Sequence, residues 1–522
     1  MMYFVGLCLL LAVVMASGVR FPANFARNSF SQSSSVASNG EDAKRHADIL
    51  AQVQETSRSV KDTLIRGHRD LSCRISGMIP ATKKFFSRDA SCPYVDKGSS
   101  VKKVSILGVD SKNSTLSKTS GKKKVLILMS DTGGGHRASA QAIDRSLKEQ
   151  FPGRIDVDII DIWTTYARWP FNRFVPTYRY VAQRPMMWRG FYAYGHFPPT
   201  KLFTETWSWM SSYWSFKDAI VSRNPDMVVS VHPLCQLMPI WVVQQMNKIR
   251  DRSKPAIPFV TVVTDLGGAH NTWFDRRADA VFVPSDAVRK LAMKTRLRKD
   301  KIVQRGLPIR PSFWKRGQSK EVLRGSLGLL KGWKTILLMG GGDGVGGLGL
   351  IATEIATKCA ENKDSETQMV VICGNNQKLK KELRDRSYPD NMKVVVRGFV
   401  DNIHEYMGAS DCIVTKAGPG TIAEAMTRGL PIVLSSFLPG QEAGNVPYVV
   451  EGGFGLYPGP RPKRIASTVS KLIIDDKRLA TMSAKALAAA RPEATQEIAK
   501  DIGNAVLNTK DKIVTAKYSD KL

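Results

Sequence analysis

Four strings of the chain pair glycine with a side chain able to move a proton or hold a phosphate. The first is Ser130-Asp131-Thr132-Gly133-Gly134-Gly135-His136-Arg137. Three glycines let the backbone turn tightly and approach a ligand. A helix starting there would aim free N–H groups at an anion. It would also disfavour the charged form of His136, leaving a neutral imidazole that accepts a proton. The string is neither GxGxxG nor a P-loop, and at its plainest it is a tight turn with a capping histidine. The second string, Gly340-Gly341-Gly342-Asp343-Gly344-Val345-Gly346-Gly347, suits close backbone approach to phosphate or sugar. The third, Thr415-Lys416-Ala417-Gly418-Pro419-Gly420-Thr421, leads into Ile422-Ala423-Glu424-Ala425-Met426. A diphosphate fits over such a helix start. In the fourth, Pro439-Gly440-Gln441-Glu442-Ala443-Gly444-Asn445, a carboxylate is offered that can accept hydrogen bonds from two ribose hydroxyls.

Each string follows a short apolar run, as a ligand loop follows a buried parallel strand. One series of runs comprises Val125–Met129, Ile155–Ile160, Met227–Val231, Phe259–Val263 and Ala280–Val283. A second comprises Thr335–Met339, Met369–Ile372, Lys393–Val396, Cys412–Val414 and Pro431–Leu434. Helix-length segments lie between most of them. The pattern predicts an α/β protein of two Rossmann-like, doubly wound domains. In such sheets ligands bind beyond the carboxyl ends of the strands. A hinge is expected near Leu307–Gly332, and the region Arg478–Leu507 is expected to pack back across it. The expected domains are 122–318 and 319–492, followed by a C-terminal helix and tail over 493–522.

The composition fits this picture. The chain has 522 residues, 43% apolar and 24% charged, which excludes full-length disorder and a multi-pass membrane protein. Its 77 Lys and Arg against 46 Asp and Glu give a net charge of +31, so an anionic partner is expected. Seven scattered cysteines contain no CxxC pair and are read as mostly reduced.

Taken together, the motifs resemble those of the monogalactosyldiacylglycerol synthase family. The resemblance is carried by SDTGGGHRASAQAI at Ser130–Ile143, TDLGGAHNTWF at Thr264–Phe274 and GLPIRPSF at Gly306–Phe313. LLMGGGDG at Leu337–Gly344, TKAGPGTIAEAM at Thr415–Met426 and GQEAGNVPYVVEGG at Gly440–Gly453 add to it. It covers about Lys122 to Pro492. The resemblance implies a GT-B fold, two Rossmann-like domains facing a cleft. It implies inverting transfer of galactose from UDP-galactose, held by the C-terminal half, to 1,2-diacylglycerol, approached by the N-terminal half. The product is β-monogalactosyldiacylglycerol and the compartment the plastid envelope. It implies activation by anionic lipid such as phosphatidylglycerol, with no cofactor. Carried over by motif, it places UDP-sugar contacts at His136, Arg310, Gly340, Gly341, Gly342, Asp343, Gly344, Gly398, Phe399, Val400, Ala417, Gly418, Pro419, Gly420, Thr421, Gln441 and Glu442. Activating-lipid contacts fall near Pro170 and Trp273. The chain departs from the family pattern at Gly267-Gly268-Ala269, where bulkier polar residues are expected.

Displacement at the anomeric carbon needs a base for the acceptor hydroxyl, whose high pKa requires proton removal during attack. His136 is the first candidate, with Asp265 and Asp131 as rivals. Departing UDP is expected to be stabilised by Arg310 and the helix start at Gly420-Thr421, without a metal. Asp156-Val157-Asp158 has D-x-D spacing, but it lies inside a strand and is read as a solvated edge.

Six of the ten tryptophans fall within Trp163–Phe216, interleaved with tyrosines and with Arg168, Arg173, Arg179, Arg184 and Arg189. This stretch is the expected contact with an anionic membrane. An ordinary aromatic core is the plainer alternative, and no nucleic-acid signature accompanies the basic charge. The chain is expected to be monotopic, with homo-oligomerisation left open. At the N-terminus, Tyr3–Met15 is an apolar run too short to span a bilayer, followed by Ala16, Ser17 and Gly18. Residues 1–18 read as a signal peptide and 19–121 as a transit-like leader and linker. The pair resembles the two-part presequence of algae with secondary plastids; a plain secretory signal with a spacer is the alternative. Competing functions are a diacylglycerol glucosyltransferase, a lipid-linked N-acetylglucosaminyltransferase, or a non-catalytic nucleotide- or lipid-binding protein.

Overall fold

Buried on both faces, a strand must be apolar along its length, and the runs found in the sequence build two such sheets. The structure is a computed structural model and describes residues 121–132, 135–182, 184–314, 317–340, 347–362 and 366–507. All of these belong to one folded unit. The presequence readings, the 508–522 tail, and the expected ligand contacts at Gly341, Gly342, Asp343 and Gly344 lie outside the described residues.

The first sheet comprises β1 (Lys123–Met129), β2 (Ile155–Asp161), β3 (Met227–Ser230), β4 (Phe259–Val262), β5 (Ala280–Val283) and β6 (Ile302–Gln304). Its strands are parallel and lie in the order β2-β1-β3-β4-β5-β6. The second comprises β7 (Lys334–Met339), β8 (Thr367–Ile372), β9 (Met392–Arg397), β10 (Cys412–Lys416), β11 (Ile432–Ser436) and β12 (Gly455–Leu456). Read from the β9 edge its order is β9-β8-β7-β10-β11-β12, also parallel. That is the Rossmann order, reversing direction between β7 and β10. The first sheet reverses between β1 and β3. Two sheets of this kind form the GT-B arrangement. All ten apolar runs are strands. The sequence reading missed β6 and β12, which lie at sheet edges and are too short for a run to register.

Helix α1 (Gly135–Gln150) follows β1 and buries Ala140, Ala142, Ile143 and Leu147. Between β2 and β3 the chain inserts three aromatic-rich helices, α2 (Phe174–Ala182), α3 (Pro185–His196) and α4 (Pro198–Val221). Helix α5 (Pro419–Thr427) follows β10. The last described helix, α6 (Ala494–Leu507), returns to the first sheet. Its Ile498, Ala499, Ile502 and Val506 complete the apolar core around Val125, Ile127, Ile143 and Leu147. Gly503 permits the approach, because a Cβ there would lie 2.1 Å from the Phe151 ring. Thr495 on α6 exchanges two 3.0 Å hydrogen bonds with the backbone of Ile309 in the linker. The crossover expected of the C-terminal region is therefore a structural tie between the halves.

Candidate active site

The switch point of the first sheet holds His136. Its ring is buried, with Nδ1 2.9 Å from the Val231 carbonyl just after β3. Nδ1 also lies 2.8 Å from Thr264 Oγ1, just after β4. A carbonyl only accepts, so Nδ1 carries the proton and the lone pair of the neutral ring sits on Nε2. Burial lowers the pKa to about 4, opposed by the Val231 hydrogen bond and the charge of Asp131. The imidazole is thus neutral, as expected from the sequence, and the largest cause is desolvation by burial. A second imidazole, His232, stands edge-on to it with ring centroids 4.4 Å apart. The Leu234 N–H donates to its Nδ1, so His232 Nε2 donates to Thr132 at 2.8 Å. Burial and neighbouring His136 hold it well below the usual histidine range.

The other two base candidates are in different settings. Asp265 is buried and accepts the Trp273 indole N–H at 2.7 Å. Burial raises it to about 6, against the Trp273 and His270 hydrogen bonds, with the Glu442 charge adding to the rise. Asp131 is half-exposed and paired with Arg137 at 3.5 Å, so its charge is already engaged. Trp273 is fully buried between Asp265 and the core, and its one polar atom is committed to that carboxylate. Pro170 is also buried.

Across the cleft, the loops after β10 and β11 meet. Lys416 at the end of β10 is hydrogen-bonded to Glu442 Oε1, and Glu442 Oε2 accepts the Leu438 N–H at 2.9 Å. A Cβ on Gly418 would lie 3.5 Å from the Lys416 ammonium and 3.8 Å from Glu442. Gly418 is the N-cap of α5 and has no side chain to cap it, which leaves the N–H groups of Gly420 and Thr421 at an uncapped helix start. Ala417 is buried beneath the turn, and Pro419 occupies the first helical position. Gly340 directly follows β7, the strand beside β10. The switch point of the second sheet therefore combines an ammonium, a carboxylate and a helix N-terminus. Gly398, Phe399 and Val400 follow β9, which β7 and β8 separate from β10; Phe399 is exposed and Val400 packs on the core. Arg310 is anchored by Glu424 of α5 through bonds of 2.7 and 2.8 Å from Nε and Nη2. Nη1 is the edge that Glu424 does not use.

Asn445 joins the two sides. Its side-chain carbonyl accepts the Gly267 N–H at 2.7 Å and its Nδ2 donates to the Ala417 carbonyl at 2.8 Å. The loop carrying Asp265 and the loop opening α5 are thus pinned to one amide. Lys416, Asn445, Glu424, Thr264 and His232 were not singled out in the sequence. Lys416, Asn445, Glu424 and Thr264 stood inside quoted motifs, but nothing in the motifs showed which partners they take. No group of three metal-binding side chains occurs among the described residues. Asp156 and Asp158 lie on the exposed face of edge strand β2, with Asp158 held by Arg223 at 2.6 Å.

The aromatic stretch divides by depth. Trp163, Trp188 and Phe216 are core residues. Phe203, Trp207, Met210 and Trp214, spaced by four, three and four along α4, are exposed on one helical face. Trp241, outside the expected stretch, extends this face by meeting Trp209 edge-on at 5.5 Å. Lys217 lies 4.9 Å over the Trp214 ring. No described helix is long and apolar enough to cross a membrane.

Two nucleotide-type sheets, with the buried imidazole of His136 after one and the uncapped helix start at Gly418 after the other, form the architecture of the GT-B glycosyltransferases. Residues 136–309 match the monogalactosyldiacylglycerol (MGDG) synthase family and residues 335–500 the glycosyltransferase family 28 C-terminal domain. Monogalactosyldiacylglycerol synthase 1, chloroplastic, of Arabidopsis thaliana is 41% identical over 390 residues, covering 73% of this chain and 70% of the relative. The chloroplastic synthase of Spinacia oleracea is 41% identical over 402 residues, covering 76% and 74%. The chain belongs to the monogalactosyldiacylglycerol synthase family. Among solved structures, Acinetobacter baumannii MurG is similar at a TM-score of 0.48 and 16% identity, over 72% of this chain and 98% of that one.

Proposed function

We propose that the chain transfers galactose from UDP-galactose to the free hydroxyl of 1,2-diacylglycerol, with inversion, as a UDP-galactose-dependent 1,2-diacylglycerol 3-β-galactosyltransferase of the plastid envelope. The relatives' names supply the product and the compartment. The observation that carries the site assignment is the Asn445 bridge, which ties the Asp265 loop of one sheet to the Ala417 turn of the other.

In this reading the uridine diphosphate lies over the start of α5. The N–H groups of Gly420 and Thr421 and the Lys416 ammonium meet its negative charge, which grows as the bond to the sugar breaks. Arg310, aimed by Glu424, adds its remaining edge. Glu442, held by its bonds to Lys416 and the Leu438 N–H, accepts from the ribose hydroxyls. His136 takes the diacylglycerol proton on Nε2 as the oxygen attacks the anomeric carbon, and Val231 stabilises the resulting imidazolium through Nδ1–H. Asp265 is the alternative base; its carboxylate is ionised above pH 6. The exposed face of α4 and Trp241 rests on the lipid surface, and the +31 charge favours an anionic one such as phosphatidylglycerol. Incubating the purified protein with diacylglycerol and either UDP-galactose or UDP-glucose tests the donor: galactose incorporation is expected, and preference for glucose would move the chain to the glucosyltransferase alternative.

A further inference from the structure

Helices α2 and α3 come from the aromatic insertion of the N-terminal half, yet two of their side chains bond to the loop after β11. The Trp188 indole N–H donates to the Pro439 carbonyl at 2.8 Å, and the Tyr178 hydroxyl donates to Gln441 Oε1 at 2.5 Å. The two rings meet edge to face, 5.4 Å apart, and Trp188 is buried. Burial, with the charges of Glu442 and Asp265, pushes the Tyr178 phenol well above its ordinary range. It stays protonated in the company of both carboxylates.

A primary amide offers an acceptor on one side and two donors on the other. A phenol that occupies Oε1 fixes which way the amide is turned. We propose that Tyr178 is a positioning residue for the donor sugar: it orients Gln441 so that the Nε2 protons meet a hydroxyl of the UDP-bound hexose. Recognition of the sugar then depends on a residue delivered by the lipid-side insertion. The inference rests on the proposed function and deepens it.

The test compares UDP with UDP-galactose. Tyr178→Phe keeps the ring and removes the hydroxyl. It is expected to raise KM for UDP-galactose about fivefold, the worth of one neutral hydrogen bond, while UDP alone inhibits within about twofold of wild type because it carries no hexose. Gln441→Glu can still accept from Tyr178 but has no protons to donate, and is expected to raise the same KM at least as much. Combining Tyr178→Phe with Gln441→Ala should cost no more than Gln441→Ala alone, since both act through one contact. An unchanged KM in Tyr178→Phe, fully additive effects, or equal weakening of UDP and UDP-galactose would overturn the assignment. Failure of the wild-type protein to bind UDP at all would overturn the donor reading itself, and this inference with it.

Discussion

Gly267 and Gly444 meet across the cleft with no room for a side chain between them: a Cβ on Gly267 would sit 2.2 Å from the Gly444 carbonyl oxygen. Neither backbone can yield without moving the Asp265 loop or the Glu442 loop. Gly267, the first residue of the Gly267-Gly268-Ala269 departure from the family pattern, therefore lets the halves close here against Gly444. Gly267→Ala is expected to force the loops apart at a cost of about 1–3 kcal/mol, as overpacking does. Donor KM should rise and the thermal midpoint fall; an unchanged midpoint together with unchanged KM would show that the contact is dispensable.

His136 presents Nε2 as its only lone pair because Val231 holds the other nitrogen's proton. His136→Ala should lower kcat by about 10²–10⁴, the usual worth of a general base. UDP affinity should change by no more than about tenfold, one hydrogen bond's worth. Near-normal turnover would pass the role of base to Asp265.

Asp265 and His136 make opposite contributions to stability as pH changes. Burial raises Asp265 from 3.8 to about 6, so its contribution is full below pH 3.8 and is lost as pH rises to 6. Burial lowers His136 from 6.5 to about 4, so its contribution is full above pH 6.5 and is lost as pH falls to 4. His232, also held below its ordinary range by burial, adds to the histidine slope, so in the wild type Asp265 offsets only part of it. Asp265→Asn leaves only the histidine slopes, and the variant should gain about 2 kcal/mol between pH 4 and 6.5 relative to wild type. Denaturant unfolding at both pH values checks this; parallel profiles would contradict it.

The α4 face supplies a membrane test. Replacing Trp207, Trp214 and Trp241 by Ser together should weaken sedimentation with anionic vesicles tenfold or more, if each ring buries apolar area worth about 1 kcal/mol. Activity on vesicles of neutral lipid at low salt should be lower than on anionic ones for the unaltered protein. Equal vesicle binding by the triple variant would place the docking face elsewhere.

Most of the fold was legible because the interior strands of both sheets are buried on both faces and so must be continuous apolar runs, while edge strand β2 keeps enough apolar residues beside its exposed Asp156 and Asp158 to register. Strand β6 has three residues and β12 two, lengths at which no periodicity exists. The ligand loops were legible for the same reason: parallel sheets put function just past the strand, where glycine stands out. What could not be read was pairing across the cleft. Nothing local marks Asn445 as a bridge or Glu424 as the anchor of Arg310, since their partners lie 28, 178 and 114 residues away. The aromatic stretch misled in part because composition counts tryptophans without knowing their depth. Trp188 and Trp207 look alike in sequence, yet one is core and the other exposed.

Product analysis tests the central claim most directly. The protein should be incubated with diacylglycerol in phosphatidylglycerol-containing vesicles and labelled UDP-galactose, and the anomeric configuration of the extracted lipid determined. Label in a β-linked galactosyl diacylglycerol, lost in His136→Ala, is the expected result. No lipid product from UDP-galactose, or an α-linked one, would contradict single displacement driven by a base on the opposite wall of the cleft.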